Sequence, residues 1–402
     1  MELTRVETRP APGEPGRVRL VGQVAYDDRR RAPEELWFEV EGSLADSLSG
    51  SGNPWLAALL PLAVTLGEPL RLCLPVDPLL RAGAEELGAV WRAWYPWLSA
   101  VSLDAPASEE GRPPDATAAF FSGGVDSFYT VLRRLETRPS MLRPSELVFL
   151  AGFDLRLSRE EVRRRRRDRF RRVAESLGVG LVEVATNVKE TRLVEANWND
   201  LSHGSILVAC GLALERRFGV LLIASTFDYG HLHSLGSHPL TDPMLSTTAT
   251  RIVHDGAAAS RCRKVEYLAG SAVALENLHV CWKREDDENC GECEKCLRTM
   301  VMLELAGALG RASTFPVRRL DLDRVSRILL RRERSYDAYY GEISRWALRI
   351  GRLDIHRAIE ASNRSSRLRR RVVSLATSWK ERRVLWRAAR RMRHWAVQGR
   401  VA

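Results

Sequence analysis

Ala118-Ala119-Phe120-Phe121-Ser122-Gly123-Gly124-Val125-Asp126-Ser127 is the stretch that sets the fold class. Its first residues form a short apolar run suited to a buried strand, and Phe128-Tyr129-Thr130-Val131-Leu132-Arg133-Arg134-Leu135 predicts a helix. Between them, Gly123 and Gly124 let backbone approach a ligand closely. The uncapped N–H groups of the following first turn, with the helix dipole behind them, favour an anion such as phosphate. Ser122 and Ser127 add hydroxyl donors, Val125 opens the helix, and Asp126 is a candidate holder for the Mg²⁺ that accompanies a nucleotide.

Outward from this loop, the pattern between Thr117 and about Leu309 alternates strand and helix, which predicts an α/β fold with a parallel sheet. Glu146–Asp154 is a second strand ending in the carboxylate Asp154, Ser158–Leu177 its crossover helix, and Leu181–Val184 a third strand. Ile206–Phe218 is an apolar helix that leads to a fourth strand at Val220–Ser225. Ligands in such sheets lie beyond the carboxyl ends of the strands. That places Asp154, the segment with His203 and Gly204, and the long loop Thr226–Ser246 beside Ser122–Ser127. The loop's Gly236, Ser237, His238 and Asp242 are candidate substrate contacts, and a metal held by His231, His233 and His238 is weighed against that use. Ser260 starts a capped helix carrying Arg261 and Lys264, two cations able to stabilise a departing pyrophosphate.

Cys281, Cys290, Cys293 and Cys296 stand in the spacing C-x8-C-x2-C-x2-C, apart from the scattered Cys73, Cys210 and Cys262. Four thiolates in tight turns, with Gly291 relieving the backbone, suit a closed tetrahedral Zn²⁺ site of structural type. An iron–sulfur cluster is the alternative.

The loop and the cysteines together resemble the PP-loop ATP pyrophosphatase superfamily, whose signature is SGGxDS, and within it the 7-cyano-7-deazaguanine synthase family. The resemblance covers roughly Thr117–Leu309 and implies an adenine nucleotide alpha hydrolase-like core that binds ATP through Ser122, Gly123, Gly124, Asp126 and Ser127. It also implies Lys264 as the cation of the late helix and zinc on the four cysteines. The chemistry implied is adenylation of 7-carboxy-7-deazaguanine, or of a similar small carboxylate, followed by attack of ammonia or an amine. The chain keeps Phe153 and Asp154 of the family's strand-end motif but departs from it at Leu155-Arg156, at Asp200–Ser205 and at Gly236–Pro239, where the acid would bind. Those departures suit a divergent branch, such as one that joins a deazapurine to a protein in phage defence. A tRNA-modifying PP-loop enzyme, with Cys210 or Cys262 as its thiol, and a nucleotide-dependent scaffold of a defence complex remain the alternatives.

Residues up to about 114 are expected to form a separate α+β module, with 115–310 as the catalytic domain and 311–402 as a basic helical extension. Residues 311–402 contain 25 Lys and Arg against 8 Asp and Glu, so this stretch carries +17 of a chain whose total is +11. Leu368, Val372, Leu375 and Trp379, then Leu385, Ala388, Ala389, Met392 and Ala396, recur at helical spacing among its arginines. This suits packing on the core, contact with nucleic acid or an acidic protein, or lying on an anionic membrane surface. Arg163–Arg167 with Arg169, Arg171 and Arg172 in the crossover helix allow two uses: a solvated face, or a contact for nucleic acid or another acidic partner. No apolar run is long enough to span a bilayer and the first residues have no signal-peptide pattern, so a cytoplasmic location is expected, with a homodimer left open.

Overall fold

The computed structural model describes residues 1–376 except 29, 138–141, 285, 287 and 329–335. The chain divides into two compact units, Met1–Arg318 and Arg319–Ala402. The first is an α/β unit built on a ten-stranded sheet.

Its parallel half begins at β6 (Ala116–Phe120), buried along nearly its whole length. The chain then passes through α3 (Val125–Glu136) to β7 (Glu146–Ala151) and through α4 (Glu160–Leu177) to β8 (Gly180–Thr186), each strand parallel to the last. After α5 (His203–Leu212) it returns to the other side of β6 as β9 (Phe218–Ala224), followed by β10 (Arg251–Asp255). The order β10-β9-β6-β7-β8 therefore reverses direction between β6 and β9. At such a switch point the connections leave in opposite directions and a crevice opens beyond the strand ends. The segments that follow β6 and β9 both border it.

The N-terminal strands extend the same sheet. β1 (Glu2–Pro10), β2 (Arg17–Ala25) and β3 (Glu34–Glu41) form an antiparallel meander, and β3 pairs with β8 through Phe38–Thr186 and Glu39–Ala185. Beyond β1 lie β4 (Leu70–Leu72) and β5 (Leu103–Asp104). Helix α1 (Asn53–Leu66) is apolar on nearly all sides and packs on α5, and α2 (Pro78–Trp94) is capped by Asp77. Trp55 of α1 and Cys210 of α5 belong to one buried cluster. The expected boundary near residue 114 is therefore replaced by one unit, because sheet and core both run across it. The division near the tail falls after Arg318.

The β3–β8 seam is held by buried charge. Arg17 Nε donates to Glu39 at 2.7 Å and Arg163 Nε to Glu183 at 2.5 Å; Arg17 also reaches Glu183 at 3.2 Å, and Arg163 reaches Glu39 at 3.2 Å. Arg19 and Arg167 complete the set at 2.8 and 3.3 Å. Burial pushes the Glu39 carboxyl up, but hydrogen bonds and charge from Arg19, Arg17 and Arg163 outweigh it and hold the group below its ordinary range. The arginine-rich helix is thus not uniformly solvated. Arg163 and Arg166 point inward, while Arg164 and Arg165 face water.

In the second unit, helices Leu322–Ser326, Gly341–Arg349 and Leu353–Ala376 bury Val325, Ile343, Ile355 and Ile359. Ser362 Oγ donates to the Ile328 carbonyl at 2.7 Å. The expected amphipathic pattern from Trp379 to Ala396 lies outside the described residues. No helix among the described residues is long and apolar enough to cross a membrane.

Candidate active site

At the carboxyl end of β6, Phe121 packs against Phe128 and Phe170 and turns the chain into Ser122. Gly123 has φ +72°, and a Cβ there would lie 2.8 Å from the Phe170 ring, so the loop requires glycine on two counts. Gly124 is the N-cap of α3 and supplies no side-chain cap to the first turn, while its own N–H donates to Ser122 Oγ at 3.4 Å. The Ser122 and Ser127 hydroxyls are 3.4 Å apart, and Ser127 Oγ donates to the Gly124 carbonyl at 3.1 Å. Ser122 is exposed and Ser127 buried. Chemically, this arrangement could cradle an anion, with a hydroxyl at its mouth.

Two cations converge on it from α6 (Arg261–Leu268), which Ser260 caps. Arg261 Nη2 meets Asp126 Oδ2 at 2.7 Å and Lys264 Nζ meets Asp126 Oδ1 at 3.1 Å. The same two groups donate to the carbonyls just past β9, Arg261 to Thr226 at 3.2 Å and Lys264 to Ser225 at 2.5 Å. The pair therefore spans the switch-point crevice. The Lys264 side chain is 1% exposed. Burial lowers its pKa, Asp126 opposes the shift, and Arg261 adds to it. Asp126, the expected Mg²⁺ holder, has each of its oxygens paired with one of these cations.

Cysteines Cys281, Cys290, Cys293 and Cys296 converge so that their sulfurs all lie within 4.8 Å of one another, a group that can hold a metal ion. Cys281–Cys293 and Cys290–Cys296 separations are 4.0 and 3.8 Å. Backbone N–H groups of Arg284, Cys293 and Cys296 point at sulfurs at 3.4, 3.2 and 3.5 Å, and Cys293 Sγ caps the helix Glu294–Leu305. Gly291, at φ +69°, makes the turn. Asn289 braces the cluster: its Oδ1 accepts from Val280 and Cys281 at 2.9 and 3.1 Å, and its Nδ2 donates to the Leu278 carbonyl at 2.9 Å. The neighbouring His279 N–H donates to the Gly123 carbonyl at 2.8 Å, which ties the cysteine segment to the anion cradle. Burial, with Arg166 and Arg169 close by, lowers the His279 imidazole to about 3.

The loop after β9 is fastened from within. Asp242, 2% exposed in its side chain, accepts from Ser237 Oγ at 2.7 Å and the His238 N–H at 3.1 Å, and pairs with His254 Nδ1 at 2.7 Å. Asp242 is therefore a strut for this loop, with its oxygens already taken by protein groups. Gly204 N–H donates to the Gly236 carbonyl at 2.6 Å, and a Cβ on Gly204 would approach Asp242 to 2.5 Å; close packing of α5 on the loop is what these two glycines provide. Burial and the nearby His254 lower His238, whose ring lies against Trp94 at 5.1 Å. Ser237, His238, His233 and His254 line a small pocket with Ser225 and Thr226. Among the described residues, the four cysteines are the only group of three or more ligands placed so that they could hold a metal, and the histidines of this loop are not brought together in that way.

Asp154 is exposed after β7, and His203 starts α5. Burial lowers His203, with Asp154 and Asp242 opposing. Between them lie groups that sequence reasoning missed. Lys189 Nζ stands 3.2 Å above the Trp198 ring, and Phe153 and His203 pack on that ring at 5.0 and 5.2 Å. Burial lowers Lys189 to about 8 against the pull of Asp154. Nothing in the spacing around Lys189 signals this, because its partners come from three segments. Cys210 and Cys262 are buried, Cys210 completely, so neither is placed as a reactive thiol. No family model, curated protein or solved structure matches this chain.

Proposed function

We propose that the chain is an ATP-dependent adenylating enzyme of PP-loop type, which activates a small carboxylate for attack by ammonia or an amine. The observation that carries this reading is the Ser122–Ser127 cradle at the switch point, with Lys264 and Arg261 held across its mouth by Asp126. A nucleoside triphosphate laid on the first turn of α3 meets backbone donors, the Ser122 hydroxyl and two fixed cations. Attack of a carboxylate oxygen on the α-phosphorus forms an acyl adenylate, and the electron pair of the broken P–O bond leaves with pyrophosphate. Lys264 and Arg261 stabilise that growing negative charge without reorganising, because Asp126 and two carbonyls already hold them. Ammonia or an amine then attacks the acyl carbon, and AMP departs. Magnesium arrives with the nucleotide as part of the substrate, and no step is assigned to a metal on Asp126.

The deazaguanine-type acid expected from sequence would lie beside Asp154, His203 and Lys189, the half-buried ammonium pairing with its carboxylate. Zinc on the four cysteines is supported by their spacing. A tetrahedral ion with Zn–S of about 2.3 Å needs sulfurs about 3.8 Å apart, and two of the pairs stand at 3.8 and 4.0 Å. When bound, zinc holds a structural turn. The cysteines and Asn289 then fix Leu278–Cys281 beneath Gly123. The tRNA-thiolation alternative loses support from the burial of Cys210 and Cys262.

Incubation with ATP and 7-carboxy-7-deazaguanine, with and without ammonia, tests the proposal. Pyrophosphate and AMP are expected, and appearance of neither would reject it.

A further inference from the structure

Residues Phe227-Asp228-Tyr229-Gly230-His231 leave the end of β9 in a tight turn that adenylate formation does not use. Asp228 Oδ1 accepts from the Gly230 N–H at 2.8 Å and faces His231 Nδ1 at 2.9 Å, with Oδ2 at 3.0 Å from the same nitrogen. The His231 N–H returns to the Asp228 carbonyl at 3.0 Å. A carboxylate that bridges Nδ1 in this way keeps the proton there and leaves the lone pair on Nε2. The imidazole is 32% exposed, its orienting carboxylate 17%. An imidazole oriented by a third group is the general form of a proton acceptor.

The turn lies on the rim of the proposed site. Tyr229 N–H donates to the Ala257 carbonyl at 2.8 Å, fastening the turn to the segment that leads into α6. Lys264 feels the charge of Asp228. Thr226, two residues ahead of Asp228, gives its carbonyl to Arg261. One short segment thus holds the cations that would face pyrophosphate, through the Ser225 and Thr226 carbonyls, and carries the Asp228-oriented imidazole a few residues further along.

We infer that His231, positioned by Asp228, is the general base of the transfer half-reaction, acting on ammonia or a primary amine; this rests on the adenylating function proposed above. As the amine nitrogen bonds to the acyl carbon, its N–H electron pair stays on nitrogen and the proton passes to His231 Nε2. The C–O bond to the phosphate breaks with its electron pair leaving on AMP. His231 then returns the proton to water, and no oxidant or further reactant enters.

The test separates the two half-reactions in the full chain. ATP–pyrophosphate exchange with 7-carboxy-7-deazaguanine reads adenylation, and amide formation reads transfer, with methylamine and with hydroxylamine as nucleophiles. Hydroxylamine is a weak base already unprotonated at neutral pH, so it needs a proton acceptor less. In His231→Ala, transfer to methylamine is expected to fall about a hundred-fold relative to exchange. The fall with hydroxylamine is expected to be several-fold smaller, and added imidazole is expected to restore part of the methylamine rate. Asp228→Asn keeps an acceptor for the Gly230 N–H and is expected to lose a smaller share of transfer with the same preference for hydroxylamine. Equal losses with both nucleophiles, a parallel fall in exchange and transfer, or no response to imidazole would overturn the assignment alone. Absence of exchange in the wild-type chain would overturn the adenylating function beneath it.

Discussion

Replacing Glu183 with Gln keeps the side chain's shape and removes one charge from the β3–β8 seam. Glu183 accepts from Arg163 Nε at 2.5 Å, Arg17 Nη1 at 3.2 Å and Arg167 Nη1 at 3.3 Å. Its own side chain is 1% exposed, and those of Arg17 and Arg163 are 6% and 7%. After the change, two nearly buried guanidinium groups are left with Glu39 and, for Arg163, the partly exposed Glu14 at 3.4 Å. Breaking a buried ion pair by removing one partner costs about 3–5 kcal/mol, because the charge left behind stays desolvated. Unfolding entropy is about 2.1 cal/mol/K per residue, so for a unit spanning Met1–Arg318 each kcal/mol corresponds to roughly 1.5 °C. A fall in Tm of about 5–8 °C is therefore expected by scanning calorimetry. The contrast is Arg165→Ala on the same helix, whose pair with Glu161 is exposed on both sides. It should cost under about 0.5 kcal/mol, below 1 °C. A Glu183→Gln loss as small as that of Arg165→Ala would show the inward arginines to be solvated and refute the seam as described.

Three further outcomes follow from the same geometry. Glu39 is held below the ordinary glutamate value of 4.5, so its contribution to stability is complete above that value and lost as pH falls through the lower folded value. Urea midpoints should drop as pH is lowered from 5 toward 3, and a Glu39→Gln chain should show a shallower drop. Chelating a metal held by the four cysteines should free Asn289 and Leu278–Cys281 and slacken the His279–Gly123 bond. Titration calorimetry should then give an ATP Kd weaker by about ten-fold, or 1.4 kcal/mol, and an unchanged Kd would disconnect the cysteines from the cradle. Gly123→Ala combines a left-handed backbone, at about 1–2 kcal/mol, with a contact 2.8 Å from Phe170, whereas Gly178→Ala has the backbone term and open space. Only the first should abolish nucleotide binding, which filter binding with labelled ATP would check.

The elements legible in sequence were those whose chemistry is local. Ser122–Ser127 announced itself because a buried apolar run, two glycines and a helix start are adjacent. The four cysteines did so because their spacing brings sulfurs together without help from the rest of the chain. Elements set by distant partners were not legible. β1 exposes most of its residues and has no clear alternation, so Glu2–Pro10 passes for a loop until β2 and β4 pair with it. β10 is a short strand whose middle residues are only half-buried, and its pairing with β9 supplies the missing signal. The run Arg163–Arg167 looked like one basic face because Glu39 and Glu183, which neutralise its inward side, lie 124 and 20 residues away. The same distance problem hid the single sheet, since Glu39 and Ala185 meet only in the folded chain. Asp228 and His231 were close in sequence, yet only the turn geometry shows that the carboxylate bridges Nδ1.

The product of ATP cleavage tests the central claim most directly. With ATP and 7-carboxy-7-deazaguanine, cleavage between the α- and β-phosphates should give AMP and pyrophosphate in equal amounts, separable by anion-exchange chromatography. Lys264→Met, which removes the buried ammonium between Asp126 and the Ser225 carbonyl, should reduce that cleavage by about a hundred-fold or more. ADP and inorganic phosphate as the products, or undiminished AMP formation in Lys264→Met, would contradict the account.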